Sequence, residues 1–144
     1  MQAIIFCGIQ GSGKTTFYRD HFLKTHIRIS LDMLNTRNKE DRFLETCFLT
    51  NQPFVVDNTN PTRIERLKYI NASLPFRFQI IGYFFETTLA VAIERNSSRV
   101  GKEHIPIPGI RGTFKRLQVP QLEEGFHELY HVEAANGSFN ITSL

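Results

Sequence analysis

One segment constrains the fold of this chain more than any other: Gly8-Ile9-Gln10-Gly11-Ser12-Gly13-Lys14-Thr15. It satisfies the pattern G-x-x-x-x-G-K-[ST], and the apolar run 3–7 before it is typical of a strand buried on both faces. The glycines let successive backbone N–H groups converge on an anion, and the start of the following helix adds a favourable potential. The sequence therefore predicts a P-loop that binds the phosphates of a nucleoside triphosphate.

Two side chains at the end of this loop suit a phosphate tail. The Lys14 ammonium is expected to reach the β- and γ-phosphates, and the Thr15 hydroxyl is expected to coordinate Mg²⁺. A glycine-rich turn that merely linked a strand to a helix would need neither group. Lys14 is therefore also predicted to act in catalysis. The residues predicted to contact the nucleotide are Gly8, Ile9, Gln10, Gly11, Ser12, Gly13, Lys14, Thr15, Thr16 and Arg95.

Strand and helix patterns alternate along the chain, which predicts an α/β fold with a parallel sheet and helices on both faces. The tail after Gly137 is expected either to add an edge strand or to fray. The predicted strands are 3–7, 27–30, 54–56, 76–85 and 129–132; the predicted helices are 14–24, 40–50, a helix capped by Asn60 with Pro61 in its first turn, 87–99 and 110–119. The apolar spacing in these helices predicts that the following residues pack inward: Phe17, Phe22, Leu23, Phe43, Leu44, Cys47, Phe48, Ile64, Leu67, Ile70, Leu74, Leu89, Ala92 and Ile93.

Length and composition limit the remaining possibilities. A chain of 144 residues predicts a single domain, 1–144, and 41% hydrophobic residues suit a packed core. The net charge of +3 permits a nucleic-acid partner but does not require one. Neither a signal peptide nor a membrane span is apparent, and the two distant cysteines suggest free thiols, so a cytoplasmic location is expected.

Two carboxylates follow predicted strands at the sheet edge where the P-loop lies. Asp32 comes just after the second strand, where it either caps a helix or accepts the proton of an attacking hydroxyl. Asp57 ends the third strand, where it either starts a turn or has a site role, holding Mg²⁺ or orienting the acceptor. Because parallel strands end at one edge, we expect both carboxylates near the P-loop, with Asn58 also contacting the acceptor.

Arg95 and Arg99 lie four residues apart at the end of a predicted helix, so they share one helical face. Such guanidinium groups either clamp the transferring phosphoryl group or simply complement the helix dipole. The segment 100–108 after them contains Gly and two Pro residues, which predicts an exposed loop that could act as a lid.

Four stretches together resemble the 5′-polynucleotide kinase domain of bacteriophage and animal DNA/RNA repair enzymes: 8–15, 31–32, 56–61 and 95–99. The resemblance runs through most of the chain and implies a P-loop NTPase fold of three α/β/α layers. It also implies a five-stranded parallel sheet in the order 2-3-1-4-5. By resemblance, Asp32 is the general base, Asp57 arranges the acceptor, and Arg99 contacts the phosphates, with Arg95 as a further candidate.

Two departures from that family concern the acceptor and the scope of the activity. The phage enzyme has an arginine three residues after its catalytic aspartate, whereas this chain has Asn35 there and an arginine only at Arg37. The chain also lacks the Asp-x-Asp-Gly-Thr phosphatase motif of the bifunctional enzymes, which indicates a kinase core alone.

The sequence thus predicts an ATP- and Mg²⁺-dependent kinase whose acceptor is a hydroxyl, with a polynucleotide 5′-OH as the leading candidate. Single-stranded nucleic acid is then the expected partner, and no protein partner is inferred. Two alternatives stay open at this point: a kinase of nucleosides or other small metabolites, and an ATPase or nucleotide-binding switch. A GTPase is disfavoured because no Asn-Lys-x-Asp motif occurs.

Overall fold

The computed structural model describes residues 1–144, except for the side chain of Lys102. Its centre is one sheet of six strands in the order β2-β3-β1-β4-β5-β6. The strands are β1 Gln2–Cys7, β2 Ile27–Ile29, β3 Phe54–Val56, β4 Gln79–Phe85, β5 Glu128–Ala135 and β6 Ser138–Ser143. The helices are α1 Lys14–His21, α2 Leu31–Leu34, α3 Arg37–Thr50, α4 Arg63–Ser73, α5 Leu89–Ser97 and α6 Ile107–Arg116, with 3-10 turns at Leu74–Phe76, Gly101–Glu103 and Leu122–Glu124. None of the helices in the described part of the chain is long and apolar enough to cross a membrane.

The first five strands are parallel and lie in the predicted order, 2-3-1-4-5. The predicted count of five strands is wrong, because the tail forms β6, which pairs with β5 in antiparallel register. Asn136 and Gly137 make the turn between them, with φ of 49° and 78°. Two positive φ values in succession suit a tight hairpin turn whose twist matches that of its strands. The sheet is therefore mainly parallel, with one antiparallel edge strand.

The core fills both faces of the sheet, which confirms the predicted three layers. α3 and α4 cover one face, and the buried residues there include Ile5, Phe54, Leu44, Phe48, Tyr69 and Ile70. α1 covers the other face, and the buried residues there include Ile4, Phe6, Val55, Phe85, Phe17 and Tyr18. Every residue of β3 and residues 3–7 of β1 are buried, as expected for central parallel strands covered on both faces.

Several predictions about the inward helix faces are wrong. Exposed side chains include five predicted core residues: Leu23, Phe43, Ile64, Leu67 and Leu74. The predicted start of α4 is also wrong, because the cap is Thr62 and not Asn60. The Thr62 hydroxyl accepts from the Glu65 N–H at 3.3 Å, and the Glu65 carboxylate accepts from the Thr62 N–H at 3.1 Å. This reciprocal pair is a capping box, and it satisfies two N–H groups that the helix start leaves open.

α4 instead buries a stripe that contains an arginine. Its buried residues are Arg66, Tyr69, Ile70 and Ser73, which have the i, i+3, i+4, i+7 spacing of one helix face. Arg66 Nε and Nη2 donate to the two carboxylate oxygens of Glu124 at 2.8 and 3.0 Å. Arg66 Nη1 also donates to the Asn60 carbonyl at 3.0 Å. This buried ion pair fixes the segment that follows β3 and so supports the edge of the sheet where the P-loop lies.

Candidate active site

The P-loop connects β1 to α1 and has the curved backbone that the motif predicts. Gly11 and Gly13 have φ of 77° and 98°, which side-chain-bearing residues rarely adopt. A Cβ added to Gly11 would lie only 2.8 Å from the Ala92 carbonyl, so α5 packs directly against the loop. The Gly8 N–H donates to the Thr59 carbonyl at 2.9 Å and ties the start of the loop to the segment after β3.

Lys14 lies inside the curve of this loop. Its Nζ donates to the carbonyls of Gly8 at 2.9 Å and Ile9 at 3.0 Å, and the residue is buried. Burial lowers the pKa of the Lys14 ammonium, and the nearby Asp57 carboxylate opposes that effect. The ammonium is thus held at the concave side of the loop, where the motif places the phosphates.

Thr15, Asp57 and Arg28 meet beside the loop. The Thr15 hydroxyl donates to Asp57 Oδ2 at 3.1 Å, and Arg28 Nε donates to the same oxygen at 2.8 Å. Arg28 Nη2 also lies 3.4 Å from Thr15 Oγ1. The Asp57 side chain is almost fully buried, whereas that of Arg28 is 22% exposed. Thr15 and Asp57 therefore present two hard oxygen ligands, of the type Mg²⁺ prefers, next to a competing cation.

Asp32 lies in the first turn of α2, directly after β2, and is exposed. Both Asp32 and Arg99 lie close enough to Lys14 for their charges to affect its pKa, Arg99 lowering it and Asp32 raising it. These two effects are smaller than those of burial and of Asp57. The fold therefore brings Asp32, Asp57 and Arg99, from three other segments of the chain, within range of the Lys14 charge.

Asn58 has its side-chain amide engaged within the protein. Its Oδ1 accepts from the Leu31 N–H at 2.9 Å, and its Nδ2 donates to Glu40 Oε2 at 2.9 Å and to the Tyr69 hydroxyl at 3.2 Å. Asn58 was predicted to contact the acceptor. These contacts connect the end of β3 to the first residue of α2, which precedes Asp32, and the acceptor role of Asn58 stays a prediction.

Arg95 and Arg99 line a cavity of about 260 Å³ between the P-loop and the β5–β6 hairpin. Arg95 Nη1 donates to the Gly11 carbonyl at 3.0 Å, and both arginines are partly buried. The remaining lining residues are Gly11, Gly13, Thr16, Ala134, Ala135, Asn136, Gly137, Ser138 and Phe139. A Cβ on Gly13 would approach the Phe139 ring to 3.1 Å, so this ring packs against the P-loop. The cavity begins at the phosphate-binding loop and has room for more than a phosphate group.

α6 also contacts the P-loop. Gln10 Nε2 donates to the Thr113 hydroxyl at 3.2 Å, which ties the loop to the helix after the predicted lid segment. Asn96 of α5 binds both the N–H and the carbonyl of Ile105, at 2.8 and 2.6 Å. The segment 100–108 is thus fixed to α5 near its end, and α6 begins at Ile107, three residues before the predicted start.

Sequence reasoning missed three parts of this site. Arg28 and Glu40 gave no signal, because a charged residue that the fold buries or pairs looks the same in a sequence as one exposed to solvent. The β5–β6 hairpin did give one, since Asn136-Gly137 between two runs of strand-forming residues is a strong hairpin signature. The tail was expected either to add an edge strand or to fray, and this dipeptide favours the edge strand, which also forms one wall of the cavity.

The sheet order, the P-loop after β1 and the helices on both faces define a protein with the P-loop NTPase-like fold. No family model matches the sequence. The chain is 24% identical over 135 residues to a bifunctional polynucleotide phosphatase/kinase of Schizosaccharomyces pombe, covering 91% of this chain and 33% of that protein. A protein of Acanthamoeba polyphaga mimivirus that is provisionally named a bifunctional polynucleotide phosphatase/kinase is 26% identical over 135 residues. That alignment covers 89% of this chain and 32% of the viral protein. The predicted resemblance to polynucleotide kinases is thereby confirmed, although the chain spans only about a third of these relatives.

Solved structures show the same fold. Kti12 of Chaetomium thermophilum in complex with ADP-AlF3 superposes with a TM-score of 0.69 at 16% identity, covering 91% of this chain and 88% of that one. A chain of the AvrRxo1-ORF1:AvrRxo1-ORF2 complex with sulphate ions gives a TM-score of 0.75 at 13% identity. That superposition covers 98% of this chain and 57% of the other. At these identities the comparison establishes the fold alone.

Proposed function

We propose that this chain is an ATP- and Mg²⁺-dependent kinase that transfers the γ-phosphoryl group to a polynucleotide 5′-OH. The observation that carries the proposal is the convergence at one sheet edge of the P-loop lysine Lys14 with two carboxylates, Asp32 and Asp57. A protein that only bound a nucleotide would need the lysine but not a second carboxylate reaching the site from α2. The similarity to polynucleotide phosphatase/kinases supports the choice of acceptor.

The triphosphate would lie along the N–H groups of the P-loop, with Lys14 at the β- and γ-phosphates. Thr15 and Asp57 would hold Mg²⁺, which neutralises charge on the phosphate oxygens when bound. Arg99, which lines the cavity, would stabilise the charge that develops on the transferring group. The nucleoside would occupy the cavity between the P-loop and the β5–β6 hairpin.

On the acceptor side, Asp32 would act as the general base. The acceptor oxygen forms a bond to the γ-phosphorus, the bond from that phosphorus to the β–γ bridging oxygen breaks, and ADP leaves. The proton of the acceptor hydroxyl passes to the Asp32 carboxylate. Asp32 suits this role because it is exposed, unlike the almost fully buried Asp57.

Arg37 offers a cation on the same side of the site. It begins α3, five residues after Asp32, and its side chain is 54% exposed. Its Nη1 donates to the Tyr69 hydroxyl at 2.8 Å and to Glu40 at 3.1 Å, which orients the guanidinium group. An oriented and partly exposed guanidinium is well suited to bind a phosphate of the acceptor strand. Arg37 would thus supply the positive charge that Asn35 lacks.

An acceptor panel with γ-labelled ATP tests the proposal. Label should appear on an oligonucleotide with a 5′-OH end, and an oligonucleotide with a 5′-phosphate end should take up none. Label on a nucleoside and not on the oligonucleotide would favour the small-molecule kinase. Release of labelled phosphate without transfer to any acceptor would favour the ATPase switch.

A further inference from the structure

Glu40 is a fully buried carboxylate in α3 that takes no direct part in the reaction described above, although it helps to orient Arg37. Four side chains from three segments bind it: Arg37, Asn58, Lys68 and Tyr69. Arg37 and Lys68 each donate to Oε1 at 3.1 Å, the Tyr69 hydroxyl donates to Oε1 at 2.9 Å, and Asn58 Nδ2 donates to Oε2 at 2.9 Å. We call these five residues the Glu40 cluster. A buried carboxylate of this kind is retained only when its partners offset the loss of hydration.

The Glu40 cluster contacts the segment that carries Asp32 through Asn58. Asn58 receives its orientation from Glu40 and Tyr69 through Nδ2, which leaves Oδ1 directed at the N–H of Leu31 at 2.9 Å. That N–H belongs to the first residue of α2, and Asp32 is the next residue. A helix start leaves its first N–H groups without partners inside the helix, so an outside acceptor fixes where the helix begins.

α2 needs such support because it contains only four residues. A helix of one turn has little stability of its own, since forming the first turn is the unfavourable step. Its end is defined by Asn35, whose φ of 70° terminates the helix. The position of Asp32 relative to the P-loop therefore depends on contacts from outside α2, among which the Asn58 bond acts at the residue adjacent to Asp32.

We propose that Glu40 and Asn58 are positioning residues for phosphoryl transfer: Glu40 orients the Asn58 amide, Asn58 fixes the Leu31 N–H, and the Asp32 carboxylate is thereby placed at the acceptor. This inference rests on the proposed function for its effect on catalysis. It assigns Asn58 to the placement of the general base and not to the acceptor. The Tyr69 hydroxyl remains a donor to Glu40 throughout the working pH range, because burial first and the Glu40 charge second raise its pKa.

Glu40→Gln tests this directly, because it keeps the size of the side chain but places an N–H₂ group against one of its donors. Glu45→Gln is the matched control, since Glu45 lies in the same helix with a side chain 60% exposed. We expect Glu40→Gln to lower kcat by between about tenfold and a hundredfold, as small misplacements of a reacting group do. The Kd for ATP should change by less than about twofold, because the P-loop is untouched. Glu45→Gln should leave both constants unchanged.

Two further measurements separate positioning from a general loss of stability. Amide hydrogen exchange at Leu31 should accelerate in Glu40→Gln and in Asn58→Ala, but not in Glu45→Gln. In the Asp32→Asn background, Glu40→Gln should lower kcat no further, because the two residues act on one step. Unchanged exchange at Leu31 in a folded Glu40→Gln, or losses of kcat that add in the double variant, would overturn the inference.

The same experiments distinguish this inference from the proposed function. If the wild-type chain transfers phosphate but Glu40→Gln does so equally well, the positioning inference fails and the kinase proposal stands. If the wild-type chain transfers phosphate to no acceptor, the kinase proposal fails and the positioning role in catalysis fails with it. Exchange at Leu31 then still decides whether the Glu40 cluster fixes the start of α2.

Discussion

The Thr15 hydroxyl donates to Asp57 Oδ2 at 3.1 Å, although 42 residues separate the two in the chain. Thr15 belongs to the P-loop and Asp57 to the end of β3, so this bond joins the two halves of the candidate site. Arg28 contacts both oxygens, with Nε 2.8 Å from Asp57 and Nη2 3.4 Å from Thr15. The proposed Mg²⁺ ligands are therefore already paired with a cation from β2.

Arg28→Ala should lower the Mg²⁺ concentration needed for half-maximal nucleotide binding. Removing a guanidinium 2.8 Å from Asp57 makes the local potential more negative, which favours a divalent cation. Mn²⁺ titration in the presence of ATP, followed by electron paramagnetic resonance, measures this without any acceptor. Arg19→Ala is the control, because the Arg19 side chain is 65% exposed and pairs only with Asp20 among the described contacts. A higher cation requirement in Arg28→Ala would show that Arg28 supports the site instead of competing with the metal.

Lys14→Ala should weaken ATP binding at least about tenfold, which corresponds to ~1.4 kcal/mol. The ammonium faces the concave side of the P-loop, and its protein contacts are two backbone carbonyls, so the fold should persist. Calorimetric titration with ATP and Mg²⁺ measures the change, and the melting temperature checks the fold. Lys24→Ala removes an exposed lysine beyond α1 and should bind ATP like the wild type. Equal affinities in a folded Lys14→Ala would refute the assignment of the P-loop.

Phe139→Ala should weaken ATP binding while leaving the affinity for tripolyphosphate unchanged. Phe139 forms a wall of the cavity beside Gly13 and packs edge-on against Phe17, with ring centroids 5.2 Å apart. If the nucleoside occupies this cavity, losing the ring removes apolar contact with the nucleoside but not with the phosphates. Competition titrations with the two ligands compare their affinities, and Phe139→Leu should restore part of the loss for ATP. Equal weakening of both ligands would indicate a distorted P-loop and would remove the cavity from the nucleoside site.

Glu124→Gln should lower the free energy of unfolding by about 3 kcal/mol. Its carboxylate and the fully buried Arg66 form a two-point ion pair, so the substitution leaves a buried guanidinium without a charged partner. Urea unfolding followed by circular dichroism gives the value. The neighbouring Glu123 is the control, because its side chain is 67% exposed and its pair with Arg63 lies at the surface. Glu123→Gln should cost less than about 1 kcal/mol, and equal losses in both variants would contradict the buried pair as the source of stability.

Local patterns predicted the parts of this fold that local physics determines. A short continuous apolar run is typical of a strand that is buried on both faces of a sheet. β1 and β3 are such runs, and their predicted bounds agree with the structure to within a residue. The P-loop requires its glycines for a positive φ at Gly11 and Gly13, and this requirement is visible in the sequence. The strand order was implied by the resemblance, and the pairing of the first five strands confirms it.

The helix faces were harder to predict, because their burial depends on partners distant in sequence. α4 contains two overlapping periodic stripes, one through Ile64 and Leu67 and one through Arg66 and Tyr69. Hydrophobicity favours the first stripe, yet the second stripe is buried. Its burial is possible because the Glu124 carboxylate, 58 residues further along the chain, neutralises Arg66. Glu40 escaped prediction for the same reason. A buried charge becomes recognisable only after the fold supplies its counter-charge.

Transfer of label from γ-labelled ATP to an oligonucleotide with a 5′-OH end, compared between the wild-type chain and Asp32→Asn, tests whether the chain is a kinase that uses Asp32 as its general base. We expect the wild type to label the oligonucleotide. Asp32→Asn should lose transfer by at least about a hundredfold, because the remaining carboxylate, Asp57, is almost fully buried and paired with Arg28, while the Kd for ATP should stay within about twofold of the wild type. Equal transfer by the two proteins would contradict the role of Asp32. Hydrolysis of ATP by the wild type without transfer to any hydroxyl would contradict the kinase itself.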